Sequence, residues 1–126
     1  MKNKNDRLEF KNKFRNRLIQ FSLSIIDLCD SFENKRKFWI IADQLIRSAT
    51  SIGANIIEAN SSSSRRDYIK FFQIALKSAN ETEYWLILTK ELISNKEKVN
   101  NLLKELNEIA CIIGSSLLTL KGKKNL

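Results

Sequence analysis

The sequence contains no proline and only three glycines, Gly53, Gly114 and Gly122. Proline breaks helix interiors and glycine weakens them, so the scarcity of both allows long uninterrupted helices. The same two residues form the tight turns of β-rich folds, and their near absence argues against such a fold. These two deficits predict an all-α chain.

Histidine is also absent, which excludes the commonest general base and the metal sites that need imidazole. The chain has no glycine-rich phosphate loop, nucleophile elbow or cysteine-pair motif. Carboxylates such as Glu58, Glu81 and Glu83 have basic residues available as partners, so we expect ion-paired or solvated roles for them. The sequence therefore predicts no enzymatic activity, no catalytic residue, no metal site and no cofactor.

No apolar run approaches the roughly 18 residues that a membrane span needs. Residues 1–17 lack the hydrophobic stretch of a signal peptide, so we expect a cytoplasmic protein without membrane segments. The two cysteines, Cys29 and Cys111, fall on the first and last predicted helices, offset along the axis by roughly 20 Å at about 1.5 Å per residue. This offset excludes a disulfide and predicts two buried, reduced thiols.

Length and composition are those of one globular domain. The 126 residues are 43% hydrophobic and 29% charged, enough to bury a core without metals or disulfides. We therefore expect a single domain over residues 1–126.

Apolar residues recur at alternating steps of three and four, the spacing of helices that pack in a bundle. The pattern predicts helices at roughly 6–32, 35–60, 65–93 and 95–121. Asn34, the pair Ser64 and Asp67, and the pair Ser94 and Glu97 are predicted to cap the last three. Four similar helices with short loops predict an antiparallel up-down-up-down four-helix bundle. The main rows of the second and fourth helices are Phe38, Ala42, Leu45, Ala49, Ile52, Ile56 and Ala59, and Val99, Leu102, Leu103, Leu106, Ile109, Ile113, Leu117 and Leu120.

The net charge of +8 is concentrated at the chain ends. Residues 1–17 carry a net charge of +5, the C-terminal lysines add +3, and residues 18–120 are balanced. Because the predicted topology brings both termini to one end, the sequence predicts a basic pole that attracts phosphate backbones. The alternative is that these tails are merely solvated, in a lysine-rich and asparagine-rich chain. The candidate nucleic-acid-binding residues are Lys4, Arg7, Lys11, Arg15, Lys121, Lys123 and Lys124.

A polar stripe runs along the second helix at steps of three and four, separate from its apolar row. Arg47 and Glu58 lie too far apart on this helix to pair, so each needs a partner on another helix or another subunit. We expect the stripe to support the fold or a subunit interface, and a ligand site is the alternative. It consists of Gln44, Arg47, Ser51, Asn55 and Glu58.

Several large apolar residues lie off the main rows or at their margin, which predicts a homo-oligomer because monomers seldom expose large apolar patches. The alternative is that wide helical faces bury them within one subunit. They are Ile19, Ile26, Trp39, Ile46, Ile57, Phe71, Trp85 and Leu88.

Three segments carry a family resemblance: Gln44–Ala49, Ser51–Glu58 and Phe71–Tyr84 (QLIRSA, SIGANIIE and FFQIALKSANETEY). They resemble the 23S rRNA intervening-sequence proteins, also called four helix bundle proteins. The resemblance implies a four-helix subunit and a barrel-like homopentamer. The chain departs from the family pattern at Gly53, where proline is common, and at Ala59, where glycine is common.

The resemblance also implies a function. Relatives include the accessory variability determinant of diversity-generating retroelements, a basic protein that binds nucleic acid and works with a reverse transcriptase. We therefore expect a protein that binds RNA or DNA through phosphate contacts, with a reverse transcriptase as a candidate partner. The alternatives are a protein-interaction scaffold or accessory subunit without direct nucleic-acid binding and, less favoured, a membrane-surface role for the basic first helix.

Overall fold

The computed structural model describes residues 3–124, with side chains through residue 122. It contains four helices: α1 (Lys4–Asp30), α2 (Arg36–Asn60), α3 (Arg65–Leu92) and α4 (Glu97–Lys124). Each helix packs against its neighbours in sequence and α4 also packs against α1, while among the described residues the backbones of the diagonal pairs lie farther apart. The predicted all-α, antiparallel four-helix bundle is confirmed.

The predicted apolar rows form most of one continuous core. Burial follows the helical period because one stripe of each helix faces the bundle axis. In α2 the structure adds Ile41 and the hydroxyl residue Ser48 to the buried row, while the predicted Ala42 is only half-buried. The buried row of α4 is Val99, Leu102, Leu106, Ile109, Ile113 and Leu117.

Two of the three predicted helix caps are wrong. Ser64 caps α3 as expected, accepting a hydrogen bond from the Asp67 amide at 3.1 Å. Helix α2 begins at Arg36, so Lys35 occupies its cap position, and the Asn34 side chain instead accepts a hydrogen bond from Trp39 Nε1 at 2.7 Å. Helix α4 begins at Glu97, whose amide donates to Asn95 Oδ1 at 3.2 Å, so no Ser94 capping box forms.

The prediction of two buried thiols fails for Cys111. Both cysteines are free, but Cys111 is exposed, because it lies about 200° around α4 from the buried Ile109 and Ile113. Cys29 is half-buried, and its thiol lies 3.9 Å from the carbonyl oxygen of Ala42. Burial, with smaller contributions from Asp30 and Asp43, raises the pKa of Cys29 to about 11.

Helices α1 and α2 approach closely at Gly53. A Cβ atom built there would lie 3.5 Å from Leu18 Cβ, an ordinary van der Waals contact. Alanine therefore fits, whereas a larger side chain would meet Leu18.

We expect Gly53→Ala to raise the free energy of unfolding by about 0.5–1 kcal/mol, because alanine favours the helix and its methyl group meets no obstacle. Urea unfolding followed by circular dichroism measures the change. Gly114→Ala, where no atom lies within 4 Å of the added Cβ, is the control for helix propensity alone. If Gly53→Ala lowers the free energy of unfolding while Gly114→Ala raises it, the expectation is wrong, and the α1–α2 contact does not accommodate a methyl group at position 53.

Candidate nucleic-acid interface

The N-terminal half of α1 presents Lys4, Arg7, Lys11 and Arg15, all exposed. Arg7 lines the same groove as Leu120 near the end of α4, so the first turns of α1 and the last turns of α4 lie at one end of the bundle. The exposed Lys121 follows Leu120 directly. The side chains of Lys123 and Lys124 lie outside the described residues.

Three basic residues that sequence reasoning missed belong to the same end. Arg65, Arg66 and Lys70 are exposed in the first turns of α3. Arg65 Nη2 donates to the Leu120 carbonyl oxygen at 2.9 Å, which ties the start of α3 to the end of α4. The antiparallel topology could have identified them, because it places the loop at residues 61–64 beside the termini. We call this end the basic pole, defined by Lys4, Arg7, Lys11, Arg15, Arg65, Arg66, Lys70 and Lys121.

The cations of the basic pole have no acidic partner among the side chains that the structure describes. Nearby, Lys13 pairs with Glu9 at 3.0 Å, and Arg17 is held by Glu105 and Glu108. Within residues 3–122, no basic-pole side chain forms an ion pair. The field of the pole is therefore not neutralised by neighbouring carboxylates in direct contact.

A groove opens between α1 and α4 at the basic pole. These two helices make the least contact of any neighbouring pair. The groove has a volume of about 630 Å³ and continues into a narrower cavity of about 180 Å³ at the end of the core. Arg7, Phe10, Tyr68 and Ser116 line both spaces. Tyr68 belongs to α3, diagonally opposite α1, so the groove reaches the bundle interior.

The side chain of Arg17 joins α1 to α4 next to the groove. Its Nε and Nη2 atoms donate to the two carboxylate oxygens of Glu105, each at 2.7 Å, and Nη2 lies 3.2 Å from Glu108. The hydrogen bond with Glu105 raises the pKa of Arg17 above its ordinary value, although partial burial opposes the shift. Such two-pronged pairs fix orientation as well as distance.

The polar stripe of α2 bonds mainly within the chain. Arg47 donates to Gln44 Oε1, at 2.8 Å from Nη2, and also pairs with Glu81 of α3. Arg47 therefore has its partner on another helix, one of the two places that the sequence allows. Ser51 and Ser78 hydroxyls lie 2.9 Å apart across the same interface.

The rest of the stripe continues this arrangement. Asn55 Nδ2 donates to Ser51 Oγ at 3.1 Å and to its carbonyl oxygen at 2.8 Å. Beneath the stripe, Thr82 Oγ1 lies 3.0 Å from Ser48 Oγ, and both side chains are fully buried. Glu58 is exposed and has no ion-pair partner in the described part of the chain. The stripe thus supports the α2–α3 contact.

The surplus apolar residues divide into two groups. Ile46, Phe71, Trp85 and Leu88 are half-buried and pack against the core, so wide helical faces cover them in part. The other four are exposed, Trp39 to 57%. They are Ile19, Ile26, Trp39 and Ile57.

The carboxylate of Glu81, which pairs with Arg47 of the stripe, makes the stability of the folded protein depend on pH. The hydrogen bond from Trp85 Nε1 at 3.0 Å, together with the bond and charge of Arg47, lowers the pKa of Glu81 below its ordinary value of 4.5. A carboxylate with a lowered pKa stabilises the folded state above its unfolded pKa. That contribution is lost as the pH falls through the folded pKa.

We expect Glu81→Gln to flatten the loss of stability below pH 4.5, because glutamine cannot be protonated there. Urea midpoints measured from pH 6 down to about pH 3 test this expectation across the window in which Glu titrates. Glu83→Gln, at an exposed position two residues away, is the matched control. Equal slopes for the unmodified protein and Glu81→Gln would contradict it.

No helix within residues 3–124 is long and apolar enough to cross a membrane. The described residues also contain no group of three or more Cys, Asp or Glu side chains arranged to hold a metal ion. The geometry of this part of the molecule is that of a charged, grooved surface at one end of a helical bundle.

Comparisons with known proteins place this geometry in a family. Residues 11–115 match the model of the 23S rRNA-intervening sequence protein family. A crystal structure at 1.70 Å of a protein with unknown function from the S23 ribosomal protein family of Bacteroides thetaiotaomicron VPI-5482 matches with a TM-score of 0.76 and 36% identity. The match covers 82% of this chain and 97% of that one. No curated protein matches significantly.

Proposed function

The chain belongs to the 23S rRNA-intervening sequence protein family, and we propose that it is a non-enzymatic, oligomeric, cytoplasmic protein that binds RNA or DNA. Binding uses phosphate contacts at the basic pole and has little sequence specificity. The family resemblance makes a reverse transcriptase a candidate protein partner. The related crystal structure is that of a protein with unknown function, so the proposal rests on this chain's own surface.

The observation that carries the proposal is the convergence of cations from three helices. Lys4, Arg7, Lys11 and Arg15 come from α1, Arg65 and Arg66 from α3, and Lys121 from α4. All are exposed, and none forms an ion pair within the described residues. A polyanion gains affinity here because each neutralised phosphate releases condensed counterions.

We expect labelled RNA and duplex DNA to bind at low salt, with affinity that falls steeply as salt rises. The triple variant Arg7→Gln, Lys11→Gln, Arg15→Gln should bind more weakly to every sequence. For duplex DNA, its salt slope should decrease by about 0.9 for each phosphate that the variant no longer neutralises. Fluorescence anisotropy at several salt concentrations measures both quantities.

The charge-matched control is Arg36→Gln, Lys77→Gln, Lys104→Gln, which removes three exposed cations that lie away from the basic pole and form no ion pair within the described residues. It should retain most of the affinity. Undetectable binding at low salt, or equal losses in both variants, would contradict a role for the pole. Undetectable binding would favour the alternative, a protein-interaction scaffold or accessory subunit, which the exposed Trp39 and Ile26 suit.

Self-association is the second part of the proposal. The exposed Ile19, Ile26, Trp39 and Ile57 leave apolar area on α1 and α2 that a second copy would remove from water. The family resemblance suggests five copies. An assembly also multiplies basic poles on one particle, which raises affinity for a polyanion through avidity.

We expect sedimentation equilibrium to give a mass near five times 14.6 kDa. Ile19→Gln combined with Ile26→Gln should shift the mass toward that of one chain, because it replaces exposed apolar surface without changing charge. Circular dichroism checks that the variant stays folded. An unmodified protein that sediments as a monomer at high concentration would overturn the oligomer.

A further inference from the structure

The groove between α1 and α4 has both apolar and polar residues in its lining. Its lining combines apolar surface from Phe10, Tyr68, Ile112 and Leu120 with hydroxyls from Ser116 and Thr119. The connecting cavity adds Lys11 and Asn60. Mixed lining of this kind, apolar walls with a few polar groups, is typical of sites for small ligand groups.

Two aromatic rings in the groove each stack on a buried ring of the same helix. Tyr68 stacks on the buried Phe72, with centroids 4.8 Å apart and planes inclined by 21°. Phe10 stacks on the buried Phe14 at 6.2 Å and 25°. Rings braced by buried neighbours present defined planar surfaces, and planar nucleobases stack on such surfaces.

The polar lining suits the edges of a base. Ser116 Oγ donates to the Ile112 carbonyl oxygen at 2.9 Å, and Thr119 Oγ1 to that of Ser115 at 3.1 Å. Each hydroxyl oxygen keeps lone pairs that can accept from the amino group of a base. The amide of Asn60 can both donate and accept.

Two cations lie beside these rings. Arg7 lines both groove and cavity, and Lys11 Nζ lies over the Tyr68 ring, 5.8 Å from its centroid, so a phosphate attached to a base in the groove could reach both charges. A base paired inside a duplex cannot enter this space, because its edge and both faces are occupied. The site therefore fits a single strand, whose bases can be splayed out.

We infer that the α1–α4 groove holds one unpaired nucleotide of a single-stranded nucleic acid. Its base lies against Phe10 and Tyr68, and its phosphate lies on Arg7 and Lys11. This inference rests on the proposed function and deepens it: the basic pole supplies affinity for any polyanion, and the groove adds a preference for single strands over duplexes.

The test fills the groove without changing charge. Ser115 and Thr119 are exposed groove residues on α4, so Ser115→Leu with Thr119→Leu narrows the groove and introduces a residue that favours the helix. Asn101→Leu with Asn107→Leu, at exposed positions of α4 outside the groove, is the matched control. We expect the first pair to lower single-strand affinity about tenfold, the order for one stacked base, and to leave duplex affinity unchanged. The control pair should change neither.

Cys111 provides a second readout, because it lines the groove and is exposed. We expect an RNA or DNA single strand to slow alkylation of Cys111 by iodoacetamide severalfold, whereas a duplex of equal length at equal saturation does not. Cys29, half-buried with a raised pKa, is the internal reference, read from its own peptide by mass spectrometry.

The outcomes separate the two proposals. If single strands bind the filled-groove variant as well as the control pair and leave Cys111 unprotected, the groove inference is wrong while phosphate binding at the basic pole stands. If neither strand type binds the unmodified protein at low salt, the proposed function itself fails. Protection of Cys111 by an anionic amphiphile such as oleate, with none by single strands, would also overturn the nucleotide assignment.

Discussion

The two-pronged bond between Arg17 and Glu105 is the constraint on which the geometry of the basic pole depends. It joins α1 to α4, the neighbouring helices with the least contact, near the middle of α1. Toward the other end, Lys98 pairs with Asp27. On the N-terminal side of Arg17, the groove lies between Arg7 and Phe10 of α1 and residues 111–120 of α4. One surface ion pair contributes little stability by itself, but this two-pronged bond fixes the distance and orientation of α1 and α4 next to the groove.

The α2–α3 contact differs from the α1–α4 contact in extent and in chemistry. Helices α2 and α3 make the most extensive contact in the bundle, and a polar column lies within it. The buried Ser48 and Thr82 hydroxyls lie 3.0 Å apart, and Thr82 Oγ1 lies 2.8 Å from the Ser78 carbonyl oxygen. No buried side-chain polar atom of the described residues lacks a hydrogen-bond partner. A satisfied polar column fixes the register of two helices more strictly than apolar packing does.

Much of this fold could be predicted because bundle burial follows a simple period, and residues of the predicted α2 row such as Leu45, Ala49, Ile52, Ile56 and Ala59 are buried as their spacing indicates. Caps at Asn34 and Ser94 could not, since neighbouring groups compete for the same amides and side chains. A count of charge along the chain misses Arg65 and Arg66, because they lie far from both ends of the sequence and reach the basic pole only through the fold. The groove depends on the distance between α1 and α4 and on the position of the Tyr68 ring. Sequence periodicity predicts neither of these.

The first turns of α1 and α3 contain Lys4, Arg7, Arg65 and Arg66. A helix N-terminus carries the positive end of the helix macrodipole, so cations there oppose local helix stability, each by about 0.3–1 kcal/mol when exposed. Asp6 and Asp67 offset only part of this opposition. The basic pole is therefore electrostatically frustrated in the free protein. Under the proposed function, an anion bound there would relieve the frustration, and its binding would therefore be coupled to firmer winding of two helix ends.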